Sequence, residues 1–222
     1  PNFPGLGTSV VRLGEMLEKG SGGRLTIKIY GGNELVPPFE VFDAVSRGTV
    51  EMGHCAAYYW KGKSEAAPFF SAVPFGLNAQ EMNGWLYHGG GLELWRELYA
   101  KFDLVPFPCG NTGVQMAGWF NREITSADDL KGLKMRIPGL GGEVMARLGV
   151  VPVNIPGGEI FTALQQGAID AAEWVGPYND LAFGLYRAAE YCYYPGRQEP
   201  GPTPQCMVNK TAYESLPEDL KA

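Results

Sequence analysis

Two residues of opposite charge, Arg136 and Glu173, are the strongest candidates for chemistry in this sequence. Arg136 lies near the end of the alternating apolar run 133–137, and Glu173 directly follows the apolar run 168–172, so each lies at the end of a predicted strand. In open α/β sheets, ligands bind in the crevice beyond the carboxyl ends of the strands. We therefore expect both charges to face one cleft, where they suit binding of a small carboxylate better than they suit catalysis.

Composition predicts a globular protein and excludes several partners. The chain has 222 residues, of which 45% are hydrophobic and 19% charged, which is enough for one large domain or two lobes. The net charge of -6 argues against a nucleic acid or an anionic membrane as partner. We find no apolar stretch of membrane-spanning length and no signal peptide. The abrupt start at Pro1 and the stop after Ala222 indicate a piece of a longer protein.

The chain has few histidines and cysteines from which a metal or catalytic site could be built. The histidines are His54 and His88, so histidine-based metal sites and Ser-His-Asp chemistry have few residues to draw on. The cysteines show no metal-binding spacing, and we expect separate buried thiols, with one disulfide in an oxidising compartment as the alternative. These cysteines are Cys55, Cys109, Cys192 and Cys206.

One supersecondary unit of strand, glycine turn and helix is predicted twice. The first copy comprises a strand over 25–29, a helix over 39–47 closed by Gly48 and a strand from Val50. The second comprises a strand over 133–137, helices over 141–148 and 160–166, the latter closed by Gly167, and strands over 151–155 and 168–172. The junctions 44–51 and 163–170 match position by position. Two α/β lobes are the interpretation, and chance similarity of a common junction is the alternative.

The predicted fold class is therefore a two-lobed α/β protein with a ligand cleft between the lobes. We predict a first lobe over 1–112, a second lobe over 113–209, and a return to the first lobe over 210–222. Segments 113–121 and 205–209 are the candidate crossover strands and hence hinge elements. Ser126 and Asp129, three residues apart, resemble an acidic capping box that starts a short helix.

Longer motifs carry a family resemblance over nearly the whole chain. The runs 130–139, 148–153 and 159–173 are similar to the periplasmic solute-binding subunits of TRAP (tripartite ATP-independent periplasmic) transporters. The runs 110–115 and 173–179 resemble the subgroup that binds 2-oxo acids. The resemblance implies a two-lobed periplasmic binding protein whose crossover strands form a hinge, lacking the family's first strand and its C-terminal helices.

The resemblance assigns roles to individual residues. Arg136 looks like the family's carboxylate-binding arginine, and its two parallel donors fit a carboxylate; an ordinary salt bridge is the alternative. Gln115, Glu173 and the backbone carbonyl of Trp174 match the protein ligands of a cation that helps to hold the ligand. These all-oxygen donors suit a hard ion, with Na⁺ favoured and Ca²⁺ as the alternative. The alternative for Glu173 is a solvated loop carboxylate. The alternative for the Trp174 side chain is packing in the core, which is compatible with a role for its backbone carbonyl.

Two further residues are assigned to ligand binding. Glu199 matches an acidic position near the family's site; the alternative is an exposed charge, which a Gly/Pro-rich loop carries by default. The hydroxyl of Tyr59 is placed to meet a polar ligand oxygen, with plain packing of the aromatic trio 58–60 as the alternative.

The function implied is that of a non-enzymatic, periplasmic binding protein. It would capture a small organic acid, namely a 2-oxo acid such as pyruvate or a 2-hydroxy acid, together with a bridging cation, and deliver it to the TRAP membrane permease. A homodimer of the full-length protein stays open. The alternative is a metal-assisted lyase or decarboxylase acting on 2-oxo acids, which requires an acid or base of tuned pKa; no His or Lys lies at a strand end beside Arg136 or Glu173.

Overall fold

The computed structural model describes residues 3–221. The α-helices in this range are α1 (Leu6–Gly20), α2 (Val41–Ser46), α3 (Ala79–His88), α4 (Gly91–Ala100), α5 (Gly139–Arg147), α6 (Gly157–Gln165), α7 (Pro177–Phe183) and α8 (Lys210–Glu214). The strands are β1 (Met52–Ala56), β2 (Leu104–Pro108), β3 (Gly118–Phe120), β4 (Lys134–Arg136), β5 (Val151–Val153), β6 (Ala171–Ala172), β7 (Tyr191–Tyr193) and β8 (Pro204–Asn209). Two separate sheets with helices confirm the predicted α/β class.

The contacts divide the described chain into two compact units. The first comprises residues 3–54, 96–107 and 206–221, and the second comprises 55–95 and 108–205. This division differs from the predicted boundary at 112/113, because the segment after β1 packs on residues of the second unit. The Phe75 amide donates to the Arg197 carbonyl at 2.8 Å, and the Thr203 amide donates to the Ser71 carbonyl at 3.1 Å. The cleft and the hinge stay predictions.

The first unit is built around a buried aromatic cluster. Phe42 of α2 is 2% exposed and meets the rings of Tyr99 and Phe102 edge to face, with centroids 5.7 and 5.2 Å apart. Strand β8 lies between β1 and β2 in a three-stranded sheet. The side-chain amide of Asn209 caps the neighbouring helix by donating to the Val45 carbonyl at 2.9 Å. The predicted segment 205–209 is thus confirmed as a strand.

The predicted strand over 25–29 is wrong. Its apolar alternation is present, since Leu25, Ile27 and Ile29 are half-buried while Thr26 and Lys28 are exposed. The backbone nevertheless forms no strand ladder with any other described segment. Alternation follows from having one covered face, whereas a strand also needs a partner for its backbone N–H and C=O groups.

The second unit carries a five-stranded sheet in the order β5-β4-β6-β3-β7. Strand β4 pairs in parallel with both β5 and β6, and β3 is antiparallel to β6 and β7. The predicted strand over 113–121 is therefore shortened to β3 and lies inside this sheet. Met135 is completely buried in the core beneath the sheet, with Phe120, Leu133 and Ile137 around it.

The repeated helix–glycine–strand junction is confirmed in its hydrogen bonds. After α2, the Gly48 amide donates to Val45 at 3.0 Å and the Thr49 amide to Ala44 at 2.8 Å. After α6, Gly167 donates to Leu164 at 3.1 Å and Ala168 to Ala163 at 2.9 Å. Both glycines adopt positive φ, at 73° and 69°, a conformation that costs other residues more.

The cysteines differ from the expected set of separate buried thiols. Cys109 and Cys206 are disulfide-bonded. Cys55 is a half-buried free thiol, and Cys192 is free and exposed. Cysteine spacing alone cannot reveal such a pairing, because the two residues are 97 positions apart in sequence. Among residues 3–221, no helix is both long and apolar enough to cross a membrane.

The predicted capping box is present and gives a stability prediction. The Ser126 and Thr125 amides donate to the Asp129 carboxylate at 2.8 and 2.9 Å. The backbone hydrogen bond from Thr125, followed by that from Ser126, lowers the pKa of Asp129 to about 2. Ser126 is the N-cap of the short 3-10 helix Ala127–Leu130, in which Asp129 is the third residue.

We predict that Asp129→Ala lowers Tm at neutral pH, whereas Asp128→Ala, whose side chain forms an exposed pair with Lys131, changes it little. Because the folded-state pKa of Asp129 is depressed, its contribution is full above its ordinary pKa of 3.8 and is lost as pH falls through about 2. Thermal melts of both variants between pH 7 and pH 2 test this. An Asp129→Ala deficit that persists unchanged at pH 2 contradicts the assignment.

Candidate functional site

The sheet order positions Arg136 at the centre of the second unit. As the last residue of β4, it lies between Val153 of β5 and Ala172 of β6 in parallel register. The Glu173 amide continues this register by donating to the Arg136 carbonyl at 3.0 Å. The two residues predicted from separate strand ends are therefore neighbours, and both are 0% exposed.

Backbone and side-chain acceptors surround the guanidinium of Arg136. Nη1 donates to the Glu173 carbonyl at 2.7 Å and to Glu173 Oε2 at 3.1 Å. Nη2 donates to the Tyr59 hydroxyl at 2.8 Å, and Nε to the Ile155 carbonyl at 3.4 Å. The guanidinium carbon lies 5.2 Å from the Trp174 ring centroid. Because a guanidinium has five N–H groups, these four contacts leave one Nη2 hydrogen for a further acceptor.

The Arg136–Glu173 contact is a buried ion pair, so the salt-bridge alternative is part of what is present. It does not satisfy the whole carboxylate, because Glu173 Oε1 is buried without a hydrogen-bond partner in the described chain. Burial, and then the nearby Glu199, raise the pKa of Glu173 well above its ordinary value, with Arg136 opposing. The alternative of a solvated loop carboxylate is wrong.

Gln115 is held beside these groups by its backbone. Its amide donates to the Glu199 carbonyl at 3.1 Å, and the next amide, of Met116, donates to the Val175 carbonyl at 2.9 Å. Its side-chain Nε2 donates to Thr112 Oγ1 at 3.1 Å. Its Oε1 is buried without a hydrogen-bond partner among residues 3–221, as a cation-ligating oxygen would be before an ion binds.

Glu199 lies in the same buried region. It is 2% exposed and its Oε2 lacks a hydrogen-bond partner in the part of the chain described, so the exposed-loop alternative is wrong. Burial raises its pKa to about 8, with Arg136 opposing. The loop follows this path because residue 196 is a glycine: a Cβ there would lie 2.4 Å from the Gln115 carbonyl oxygen.

Two aromatic residues complete the predicted set. The Tyr59 hydroxyl contacts Arg136 directly, and its ring packs edge to face on Tyr58 with centroids 4.7 Å apart. Burial raises the pKa of both hydroxyls, which keeps them protonated. The Trp174 ring is buried against Phe183, with centroids 5.0 Å apart, so core packing holds for its side chain. The role of its backbone carbonyl stays a prediction.

Some supporting residues were not predicted. Asp180 is completely buried, accepts from Trp119 Nε1 at 2.8 Å and from the Val175 and Gly176 amides, and raises the pKa of Glu173. Its place in the first turn of a helix opened by Pro177 was the available signal. Thr112 lies in the run 110–115, whose resemblance to the family assigns this threonine no role.

The donor set fits a hard cation. Among the buried side-chain oxygens that lack a hydrogen-bond partner within residues 3–221 are those of Gln115, Glu173 and Glu199, which belong to one amide and two carboxyl groups. Such oxygens are the ligands of sodium and calcium, whereas zinc and copper favour nitrogen and sulfur. Buried polar atoms without partners are rare in folded proteins. Their grouping around one arginine indicates a site for an ion together with an anion.

The second unit of this α/β fold thus buries an arginine, two carboxyl groups and an amide oxygen, a set that can hold a small anion. Residues 5–222 match the family described as bacterial extracellular solute-binding protein, family 7, and the chain belongs to that family. The family predicted from the motifs is thereby confirmed.

Three relatives place the chain more closely. It is 55% identical, over 99% of its length and 59% of the relative, to a monocarboxylate 2-oxoacid-binding periplasmic protein of Nostoc sp. PCC 7120. It is 51% identical (TM-score 0.96) to a TRAP periplasmic solute-binding protein of Pseudoalteromonas atlantica with bound sodium and pyruvate. It is 44% identical (TM-score 0.97) to a TRAP solute-binding protein of Bordetella bronchiseptica, a mixed-occupancy dimer with copurified calcium and picolinate. The chain covers 67% and 66% of those two structures, each over its own full length.

Adjacent glycines at the start of α6 give a test of the site's packing. A Cβ at Gly157 would lie 2.4 Å from the Trp174 ring, whereas a Cβ at Gly158 meets nothing within 4 Å. We predict that Gly157→Ala displaces Trp174 and destabilises the protein by ~1–3 kcal/mol. Gly158→Ala should be neutral or stabilise by up to about 1 kcal/mol.

Denaturant unfolding, followed by tryptophan fluorescence, measures both glycine variants. Equal stabilities for the two variants would show that Trp174 is not held against α6.

Proposed function

We propose that this protein is an extracytoplasmic solute-binding protein that captures a small 2-oxo acid together with a bridging cation. The observation that supports this most strongly is the completely buried Arg136–Glu173 pair, in one unit with buried oxygens of Gln115, Glu173 and Glu199 that have no hydrogen-bond partner among the described residues. In this proposal Arg136 binds the ligand carboxylate, and Gln115, Glu173 and the Trp174 carbonyl hold the ion. Tyr59 and Glu199 contact the ligand.

Charge balance supports a cation in the site. Burial raises the pKa of Glu173, so its ionised form needs positive charge close by. With Glu173 and an arriving carboxylate both ionised, Arg136 balances one negative charge and a cation would balance the other. Isolated buried charges are costly, and pairing them removes most of that cost. A cation between Glu173 and the ligand would convert their repulsion into two attractions. When bound, the ion supplies positive charge and coordination sites for the ligand's oxygens.

The two similar structures hold different hard ions, sodium in one and calcium in the other. We place sodium first, because one further positive charge balances Arg136, an ionised Glu173 and the ligand carboxylate, with calcium as the second ion.

Ligand chemistry points to one class of acid. Pyruvate and picolinate, which are bound by the two similar structures, both carry a carboxylate with a second lone-pair donor on the adjacent carbon. Such a pair of donors closes a five-membered chelate ring on a cation while the other carboxylate oxygen faces an arginine. A 2-hydroxy acid has the same arrangement. We therefore place 2-oxo monocarboxylates first and 2-hydroxy acids second.

Delivery to a TRAP membrane permease in the periplasm completes the proposal. The family and the named relatives support it, and the disulfide at Cys109 and Cys206 is typical of an oxidising compartment. A homodimer of the full-length protein belongs to the proposal, as do the lobe boundaries and the hinge at 113–121 and 205–209. The enzyme alternative is not retained, because the relatives are solute-binding proteins.

Replacement of Arg136 tests the carboxylate contact. Arg136→Lys keeps the charge but loses the planar guanidinium, which bonds Glu173, Tyr59 and Ile155 and leaves one Nη2 hydrogen for the ligand, so affinity for pyruvate should fall by ~1–3 kcal/mol. Arg147→Lys, the same change at the end of α5, is the matched control and should bind as before. Titration calorimetry measures both. Wild-type affinity in Arg136→Lys, with an unchanged fold, removes Arg136 from the site.

Linkage between ion and ligand tests the bridging cation. Metal-stripped protein in a buffer of bulky organic cations should bind pyruvate weakly, and added sodium or calcium should raise the affinity. Glu173→Gln should weaken ion binding and reduce this enhancement, leaving weak, cation-independent binding through Arg136. Titration of pyruvate without ion, with sodium and with calcium gives the comparison. The same affinity in all three conditions rules out the bridging cation.

A further inference from the structure

Gln115 presents a problem of orientation that the other oxygen donors do not. The end of its side chain carries one oxygen and one NH₂ group of nearly equal size, and a cation is ligated by the oxygen alone. A carboxylate such as that of Glu173 has an oxygen at either end and needs no such control. Some contact must therefore hold the Gln115 amide with Oε1 toward the ion.

Thr112 supplies that contact. Gln115 Nε2 donates to Thr112 Oγ1 at 3.1 Å, and the Thr112 hydroxyl donates its own hydrogen to the Gly113 carbonyl at 3.0 Å. The hydroxyl proton is thus committed, and only the lone pairs of Oγ1 face the amide. The NH₂ group is attracted to these lone pairs, whereas a reversed amide would place Oε1 against them and be repelled.

Thr112 is itself fixed by the turn that carries it. Its amide donates to the Pro202 carbonyl at 3.0 Å. The neighbouring Asn111 accepts from the Gly113 amide at 2.8 Å and donates to the Gly201 carbonyl at 2.8 Å. The turn is tied in this way to the segment that follows Glu199. Gln115 Oε1 lies on the opposite side of its amide, buried and without a partner in the described residues.

We propose that Thr112 is a positioning residue that selects the amide orientation of Gln115 and so presents Oε1 to the bound cation. This inference rests on the proposed function, because it needs an ion at the site. Thr112 does not touch the ion. It acts through Gln115 by removing the competing orientation.

The test compares Thr112→Val, which removes the hydroxyl at nearly constant shape, with Thr112→Ser, which keeps it. Thr112→Val should lower sodium or calcium affinity about 10- to 100-fold, the usual effect of losing a contact behind a metal ligand. Thr112→Ser should stay within about twofold of the unsubstituted protein. Thr162→Val, at an exposed position of α6, is the matched control and should have no effect. Cation-dependent pyruvate binding measures all four proteins.

A second readout does not depend on the ion. In metal-stripped protein, the side-chain NH₂ resonance of Gln115, assigned by its disappearance in Gln115→Met, should exchange slowly with water in the unsubstituted protein and in Thr112→Ser. It should exchange faster in Thr112→Val. A structural defect alone would lower Tm in both Thr112 variants and would not be rescued by serine.

The outcomes separate this inference from the proposed function. An unsubstituted protein that binds pyruvate without any cation dependence overturns the proposed function, and the inference with it. Cation dependence that Thr112→Val leaves unchanged overturns the role of Thr112 alone. Loss of affinity in Thr112→Ser equal to that in Thr112→Val also overturns it.

Discussion

The burial of a guanidinium at the centre of the second unit's sheet is the constraint on which the site depends. Arg136 is completely excluded from solvent, and removing one partner of a buried ion pair typically costs ~3–5 kcal/mol. The sheet meets this demand with backbone carbonyls as well as Glu173, because β4 lies in parallel register beside β6. The strand order brings the Glu173 carbonyl to Arg136, and the Ile155 carbonyl and the Tyr59 hydroxyl are further acceptors for the same guanidinium.

The surrounding oxygens extend the same electrostatic requirement. Two carboxyls are buried near one arginine, and burial raises the pKa of both because it disfavours their charged forms. A fold that only needed to neutralise Arg136 would not bury Glu199 as well. The proposed function explains the additional oxygen donors of Gln115, Glu173 and Glu199, because an ion and a ligand would supply their missing partners.

Much of this arrangement was predictable from local patterns. Alternation over 133–137 predicted β4, and the matching glycine junctions predicted the ends of α2 and α6, because these features depend on a few neighbouring residues. The family resemblance also predicted five of the six site residues, and the position of the aromatic trio 58–60 predicted Tyr59; the structure places all six in one unit. Their roles toward a ligand rest on the resemblance and stay proposals.

Features that depend on distant partners were not predictable. The segment 25–29 has the alternation of a strand but pairs with no strand among the described residues. The disulfide at Cys109 and Cys206 and the burial of Asp180 likewise depend on chain segments brought together only by folding. The role of Thr112 was not predictable because threonine is common in glycine-rich turns. The direction of its hydrogen bonds depends on where folding places Gly113 and Gln115.

The glycine at position 196 has a consequence for how the sequence of this protein can change. Because a Cβ there would lie 2.4 Å from the Gln115 carbonyl oxygen, any other residue would force the loop away from Gln115. Substitutions that alter ligand preference without moving this loop must therefore act through its side chains. Glu199 is one such side chain, buried in the same unit, so an exchange there is a route by which a duplicated copy could acquire a different nutrient.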